Sequence, residues 1–296
     1  MTFTTFDNSQ LNQNLQGPSN LLDNGGFEIW QRGTSFSSPA NNAYVCDRWQ
    51  IQDTDSPTFT ISREASTIDT GLYSCKLNIT APGSAAFIQL AQQIENPARY
   101  GGRTVTLSVR VWSSVATVVC IFDSVGGTSS AAHPGDSAWH TMTVSRSLSL
   151  GITNLFSILN IQVPMVSTMY FDSAILVIGS IPVTFVPLNP QQDLARCQRY
   201  YETSGTVSLW SASTSDGTFY NLSTSTIFAA TKRTTPTIVV TYNDIRETGS
   251  TVDQQASYTK IIENQDAHGF NPRVFKSVAG NAPNELSISW TASADL

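Results

Sequence analysis

The amino-acid sequence predicts an all-β protein with two β-sandwich domains that are joined by one short helix. The main observation is that short runs of alternating apolar and polar residues recur between turn residues from position 21 onward. Only one segment has helical spacing instead. Charged residues make up 13% of the chain and hydrophobic residues 40%, so the surface must be rich in hydroxyl and amide groups. The length of 296 residues allows two ordinary domains, each with its own core.

The start of the chain predicts an extended arm over residues 1–20. This segment carries Asn and Gln with little periodicity, and Gly17-Pro18 marks a turn near its end. Its apolar residues are too few to form a core, so we expect it to become ordered on a partner. The alternative is an arm that folds back over the chain's own sandwich as an added edge strand.

Residues 21–188 predict the larger β-domain. Its clearest strand spans residues 104–112, where valine and leucine share one face and polar residues the other. Residues 169–178 are apolar on both faces apart from Asp172 and its neighbour, which predicts a strand in the middle of a sheet and a partner for Asp172. The strands predicted for this domain are 57–63, 73–80, 104–112, 115–123, 139–146, 154–163 and 168–178.

A short helix is predicted within residues 189–204, followed by a smaller β-domain over residues 205–296. Asn189 is a suitable N-cap, Pro190 fits the first helical position and Gln192 can complete a capping box. The apolar residues at helical spacing are Leu194, Cys197 and Tyr201. The strands predicted after the helix are 206–211, 218–229, 237–242, 256–263, 273–278 and 286–292.

Charge and hydropathy exclude two classes of partner. The net charge is -6, and the 16 Lys and Arg residues are scattered, so we expect no nucleic-acid binding. The start MTFTTFDNSQ has no signal-peptide pattern and no later apolar run is long enough for a bilayer, which predicts a soluble, unprocessed chain without membrane insertion. The four cysteines form no CxxC pair and are expected to be buried free thiols.

The stretch DNGGFEIWQRG, residues 23–33, predicts a tight turn that launches a strand in which Phe27 and Ile29 alternate with Glu28 and Trp30. Together with Cys46-Asp47-Arg48-Trp49, it resembles the first strand of carbohydrate-binding-module-like jelly rolls in tailed-phage fibre and other virion proteins. The stretch LARCQRYYE, residues 194–202, is similar to the junction between the jelly roll and the C-terminal β-domain of phage tail-fibre-like proteins. These matches cover residues 21–202 well and the rest loosely.

The resemblance implies a jelly roll over residues 21–188 and a structural protein of a phage virion, such as a tail fibre, synthesised in the host cytoplasm. It further implies an arm that attaches to other virion proteins, a homotrimer, and recognition of glycans on the host surface. The alternatives are a capsid decoration or head-fibre protein and, from another class, a glycan-cleaving depolymerase.

The resemblance also implies a structural calcium ion. Jelly rolls of this kind often hold calcium between a glutamate of the first strand and an aspartate of the last strand, and the matching positions here are Glu28 and Asp172. Carboxylate oxygens are ligands that calcium prefers. The chain has Asp-Ser where the family often has two aspartates, and the alternative is that Glu28 is simply solvated.

Catalytic residues are not predicted. The three histidines, His133, His140 and His268, are isolated in the sequence, and no nucleophile elbow, zinc motif or phosphate loop is present. Hydrolysis of a glycan needs two carboxylates beside the bond. The candidate pairs are Asp53 with Asp55 and Glu202 with Asp216, for which solvated loops are the better interpretation.

A glycan-binding face is predicted from Arg110, Trp112 and Trp139. Arg110 and Trp112 end the polar face of the strand 104–112, and Trp139 lies on the polar face of the strand 139–146. Aromatic rings stack on sugar rings, while arginine and hydroxyl groups bond sugar hydroxyls. The alternative is that each tryptophan closes the edge of the sandwich core.

Overall fold

The chain forms two compact units that divide between Asn189 and Pro190. Antiparallel strands dominate both units, which confirms the predicted all-β class. No helix in the part of the chain that is described is long and apolar enough to cross a membrane. The computed structural model describes residues 19–65, 72–162, 165–210, 214–215, 219–247, 250–251, 253–277 and 283–296.

The first unit is a jelly-roll sandwich of two antiparallel sheets. One sheet has six strands in the spatial order β1, β3, β4, β11, β6, β9. These strands are β1 (Ser35–Ser37), β3 (Thr58–Ala65), β4 (Tyr73–Ala81), β11 (Ser167–Ile178), β6 (Thr104–Ser113) and β9 (Trp139–Ser147). The other sheet has five strands in the order β2, β5, β10, β7, β8. These are β2 (Gln50–Asp53), β5 (Phe87–Gln93), β10 (Leu155–Gln162), β7 (Val118–Asp123) and β8 (Gly126–Ser129).

The core of the first unit lies between the two sheets. The predicted inward face of β6 is confirmed, because Val105, Leu107, Val109 and Val111 are at most 1% exposed and belong to one cluster with residues of both sheets. All four cysteines of the chain are buried free thiols, as predicted. The sequence did not predict β1, β2, β5 or β8, which are short or, in β5, buried on both faces near Ala91.

Strand β11 lies between β4 and β6, which confirms a strand in the middle of a sheet. Its register against β6 shifts between Asp172 and Ile175, and Ser173 has a φ of 55°. A β-bulge of this kind inserts an extra residue and turns the following side chains to the other face. The bulge therefore explains why the sequence pattern of β11 is apolar on both faces.

The strand predicted from Phe27 to Trp30 is wrong, because these residues form a buried loop. Phe27 has a φ of 55°, which a strand does not accept, and both Phe27 and Trp30 are buried instead of alternating. The side chain of Asn24 closes the loop, since it accepts the N–H of Ile29 and donates to the carbonyl of the same residue. A side chain that satisfies the backbone in this way competes with strand pairing.

The loop is locked to the Cys46-Asp47-Arg48-Trp49 segment. The indole of Trp49 donates to Asn24 O at 3.1 Å and lies 5.0 Å from the ring of Phe27. Arg48 is 2% exposed and pairs with Asp23 at 3.1 Å. The loop and the Cys46–Trp49 segment are therefore in contact with each other.

The described chain begins close to the predicted end of the arm. Residues 1–18 lie outside the described residues. Asn20 already belongs to the sandwich, because its side chain donates to Ala174 O and accepts the N–H of Leu176.

The second unit is a smaller sandwich that begins with helix α1 (Pro190–Gln198), as the capping residues predict. The helix ends before Tyr201, which lies in a strand and not in the predicted helix. The strands are β12 (Tyr201–Thr203), β13 (Val207–Trp210), β14 (Thr214–Ser215), β15 (Phe219–Ser223), β16 (Thr226–Ile227), β17 (Thr237–Glu247), β18 (Thr259–Glu263), β19 (Gly269–Ser277) and β20 (Pro283–Ser293).

The core of the second unit contains residues from both of its sheets. Strand β20 pairs with β12, β13 and β17, and strand β19 pairs with β15, β16 and β18. Leu286 and Ile288 of β20 form one buried cluster with Phe270 and Val274 of β19.

Two acids predicted to lie in solvated loops are buried in strands. Asp53 is 8% exposed in β2, and its burial raises the pKa of the carboxyl. Glu202 is 6% exposed in β12 and pairs with the buried Lys232 at 2.6 Å. Asp216, the proposed partner of Glu202, lies outside the described residues, and an ion pair with lysine gives Glu202 a structural role.

Candidate functional site

Two of the predicted binding residues meet on the outer face of the six-stranded sheet. Trp112 of β6 lies directly opposite Trp139 of β9 and, on its other side, opposite Tyr170 of β11. Tyr170 packs edge-on against Trp112 at 5.3 Å between ring centroids and lies 6.3 Å from Trp139. We call these three side chains the aromatic row.

The aromatic row lies outside the core. Its three side chains are half-buried, and none of them belongs to the core cluster between the sheets. Lys76 of β4 continues the row, because it lies opposite Tyr170 with its ammonium group 5.7 Å from the ring centroid. The row therefore crosses four neighbouring strands with a cation at one end, and the tryptophans do not close the core edge.

A polar groove of about 320 Å³ lies beside the aromatic row on the same face. Arg110, the third predicted residue, lines it and lies opposite Thr141 of β9, so both are two residues along their strands from a tryptophan of the row. Two residues of a strand span about 6.6 Å. The groove and the row are therefore adjacent. The other lining residues are Ser108, Val109, Thr143, Ser173, Pro182, Val183, Thr184 and Phe185.

One wall of the groove depends on the glycine pair of the opening stretch. A side chain at Gly26 would meet the ring of Phe185 at 3.3 Å, and one at Gly25 would meet Ala174 O at 2.1 Å. Gly25 also accepts the N–H of Ala174 in the bulge of β11. The absence of side chains at these two positions lets the loop approach β11 and the segment that contains Phe185.

His133 and His140 are not isolated, contrary to the prediction, because they form a cluster with Asp136. The two rings meet edge to face at 4.7 Å, and His140 Nε2 lies 3.0 Å from a carboxylate oxygen of Asp136. The hydrogen bond from His140 lowers the pKa of Asp136. Asp136 accepts the N–H of Ala138, and His133 Nε2 lies 3.2 Å from the carbonyl of the same residue.

The histidine cluster holds the backbone immediately before Trp139. His133 Nδ1 accepts a backbone N–H at 2.9 Å, so its Nε2 carries the proton and donates to Ala138 O. Both ring nitrogens of His133 are thus in use. The cluster fixes the start of β9, which sets the position of Trp139 in the aromatic row.

Glu28 and Asp172, the predicted calcium ligands, both accept hydrogen bonds from other residues of the chain. Glu28 accepts the backbone N–H groups of Leu72 and Tyr73, at 2.6 and 3.2 Å. Asp172 is 0% exposed and accepts the hydroxyl of Ser173. Among the described residues, the group of three possible metal-binding side chains is the histidine cluster, which contains neither Glu28 nor Asp172. Calcium takes six to eight oxygen ligands, and the ion stays a prediction.

A second cleft lies on the outer face of the five-stranded sheet. It has a volume of about 480 Å³ and is lined by Phe87, Phe122, Phe156 and two glutamines. Phe122 is 44% exposed. The side chains of the glutamines, Gln52 and Gln89, bond each other at 2.6 Å. We call this the phenylalanine cleft; it offers apolar rings without a charged group.

Sequence reasoning missed Tyr170 and the phenylalanine cleft. Tyr170 has the same parity in its strand as Asp172, so the polar Asp172 in an otherwise apolar run was the available sequence signal for this face of β11. The groove wall formed by residues 182–185 belongs to no strand, and no sequence motif marks it.

No protein-family model and no curated protein matches the chain. Among solved structures, it is similar to the enzymatically active domain of tailspike protein 4 of bacteriophage CBA120, with 17% identity, a TM-score of 0.39 and coverage of 54% of this chain. The match spans only 21% of that tailspike chain.

Two carbohydrate-binding modules give similar values. TmCBM61 in complex with β-1,4-galactotriose is 12% identical, with a TM-score of 0.37 over 54% of this chain and 99% of the module. The CBM22-1 xylan-binding domain of Paenibacillus barcinonensis Xyn10C is 13% identical, with a TM-score of 0.37 over 56% and 97%. Likenesses at this level do not bear on the function of the chain.

Proposed function

We propose that the first unit binds glycan chains on the outer face of its six-stranded sheet. The observation that carries this proposal is the aromatic row, in which the register of three strands brings Trp112, Trp139 and Tyr170 side by side outside the core. Such rings combine a large apolar face with a polar atom, which suits the mixed surface of a sugar. The hydroxyl-lined groove beside the row supplies partners for sugar hydroxyl groups.

The row is preferred to the phenylalanine cleft for a chemical reason. Phenylalanine rings offer no hydrogen bond, and the amide groups of Gln52 and Gln89 already bond each other. The cleft nevertheless gives a matched control, because Phe122 is an exposed aromatic residue on the opposite sheet of the same unit.

Binding of the full chain to a panel of soluble polysaccharides by affinity electrophoresis tests this proposal. The panel contains xylan, β-1,4-galactan, polygalacturonate, alginate, hyaluronate and polysialic acid. We expect Trp112→Ala and Trp139→Ala each to weaken binding of any retained polymer about tenfold, because each removes a stacking surface. We expect Phe122→Ala to bind as the unchanged chain does.

Two results would contradict the proposal. One is a failure of every polymer to bind. The other is a loss of binding in Phe122→Ala with normal binding in both tryptophan variants, which would move the site to the phenylalanine cleft. Melting temperatures of all three variants serve as the folding control.

We further propose that the protein is a structural component of a phage virion and forms part of a tail fibre or a similar surface appendage. The support is the resemblance of residues 21–202 to phage jelly-roll proteins. The arm carries Phe3, Phe6, Leu11 and Leu15 as anchors for other virion proteins. Deletion of residues 2–18 should leave both melting transitions unchanged and remove the protein from assembled particles. A lower melting temperature with normal incorporation would instead indicate an arm that folds back on its own sandwich.

Assembly and attachment have separate tests. A homotrimer should give three times the chain mass of 32.1 kDa by light scattering, and a monomer at micromolar concentration would overturn it. Immunogold labelling of intact particles distinguishes a tail appendage from a capsid decoration or head-fibre protein. Release of reducing ends from a bound polysaccharide would show a depolymerase in place of a binding protein.

A further inference from the structure

We propose that the polar groove is a subsite for the carboxylate of an acidic sugar, so that the glycan bound by this face contains uronic or sialic acid residues. The inference rests on the proposed glycan binding and adds the charge class of the ligand. It starts from Arg110, which is the single charged residue among those described as lining the groove.

The guanidinium of Arg110 has an unused donor. Its Nε is buried from solvent and has no hydrogen-bond partner among the residues described. A buried donor without a partner costs free energy, and a ligand that supplies an acceptor recovers it. Because no hydrogen bond fixes Nε, the side chain can turn toward the groove when a ligand enters.

The surroundings of Arg110 favour an anion. The groove is lined by hydroxyl groups of Ser108, Thr141 and Thr143, which can donate to a carboxylate, and none of its described lining residues is acidic. Asp172 lies opposite Arg110 in the register, but it is fully buried and accepts the hydroxyl of Ser173. Asp172 therefore lies beside the groove and not in its lining.

The geometry favours a sugar carboxylate over a small free anion. Arg110 and Thr141 lie about 6.6 Å along their strands from Trp112 and Trp139, so a chain stacked on the aromatic row brings its next substituent to the groove. The planar fork of arginine matches the two oxygens of a carboxylate. The row then supplies affinity for the sugar rings, and the groove selects for their charge.

The test compares each acidic polymer of the panel with the same polymer after reduction of its carboxyl groups to alcohols. We expect at least one acidic polymer to bind and its reduced form to bind about tenfold to a hundredfold more weakly, as for loss of a charge-assisted hydrogen bond. The Arg110→Gln variant should bind the native polymer only as strongly as the reduced one. Its melting temperature should not fall, because the substitution removes an unpartnered donor.

A second variant makes the test independent of any effect that the Arg110 substitution has on folding. Thr141 is exposed on the edge strand β9, and Thr141→Ala should weaken binding of the acidic polymer more than binding of the reduced one. If the chain bound only the neutral polymers xylan or galactan, and Trp112→Ala lost this binding, the acidic subsite would be overturned while glycan binding by the aromatic row would stand. Equal binding of native and reduced polymers would do the same. A failure of all polymers to bind would overturn both.

Discussion

Replacement of Lys232 by methionine should destabilise the second unit by about 3 kcal/mol. The side chain of Lys232 is 0% exposed, donates to Gln198 O near the end of α1 and pairs with Glu202 at 2.6 Å. Removal of one partner of a buried ion pair costs about 3–5 kcal/mol, because the other charge stays buried without compensation. Glu202 keeps a hydrogen bond from the N–H of Ala229, which places the expected loss at the lower end.

Hydrogen exchange measured by mass spectrometry checks this value in the full chain. Peptides from residues 190–296 report opening of the second unit, while peptides from the first unit serve as an internal reference. Because the chain has two units, a single two-state unfolding curve would not separate their stabilities. The control is Lys260→Met, a lysine on the surface, for which we expect a change below about 0.5 kcal/mol.

A double variant tests the cause. If the uncompensated carboxylate is responsible, Lys232→Met with Glu202→Gln should recover most of the lost stability, because the glutamine amide is neutral and can still accept from Ala229. A loss below about 1 kcal/mol in Lys232→Met would refute the reasoning. A double variant as unstable as the single one would assign the cost to the lost bond with the helix.

Three further predictions concern the first unit. Hydrogen bonds from Arg146 lower the pKa of Asp123 below its usual value of 3.8. The ionised Asp123 therefore contributes to the stability of the fold above pH 3.8, and this contribution is lost as pH falls through the lower folded pKa. Asp123→Asn should flatten this acid-dependent loss in urea unfolding measured over a pH series. Gly25→Ala should cost about 1–3 kcal/mol by urea unfolding, since its side chain would meet Ala174 O, and an unchanged midpoint would contradict the close approach. If Glu28 and Asp172 share calcium, calcium added to chelator-treated protein should raise the melting temperature, and no change excludes the ion.

Local patterns were sufficient for the class of fold and for the outward position of the proposed binding residues. The period of two in β6 identified its buried face, and the same period places Arg110 and Trp112 on the other face. The capping residues Asn189 and Pro190 located the start of α1. These features depend on neighbours within a few residues, which is why the sequence alone determines them.

Where strand and loop patterns failed, side-chain hydrogen bonds, most of them between residues far apart in the chain, decided the structure. The predicted strand after Gly26 is a loop because Asn24 bonds the backbone of Ile29 and because Trp49 bonds Asn24 in turn. Such bonds join residues that no periodic pattern relates. Glu202 is buried for the same reason, since its partner Lys232 lies 30 residues away.

The candidate site is a product of strand register. The sequence determined that this is an all-β chain and that Trp112 and Trp139 point out of their strands. Only the tertiary structure decided that they lie opposite each other, that Tyr170 completes the row and that Arg110 lines an adjacent groove. The physical reason is that alternation is a local property of the backbone, whereas register is set by hydrogen bonds and core packing between strands far apart in the chain.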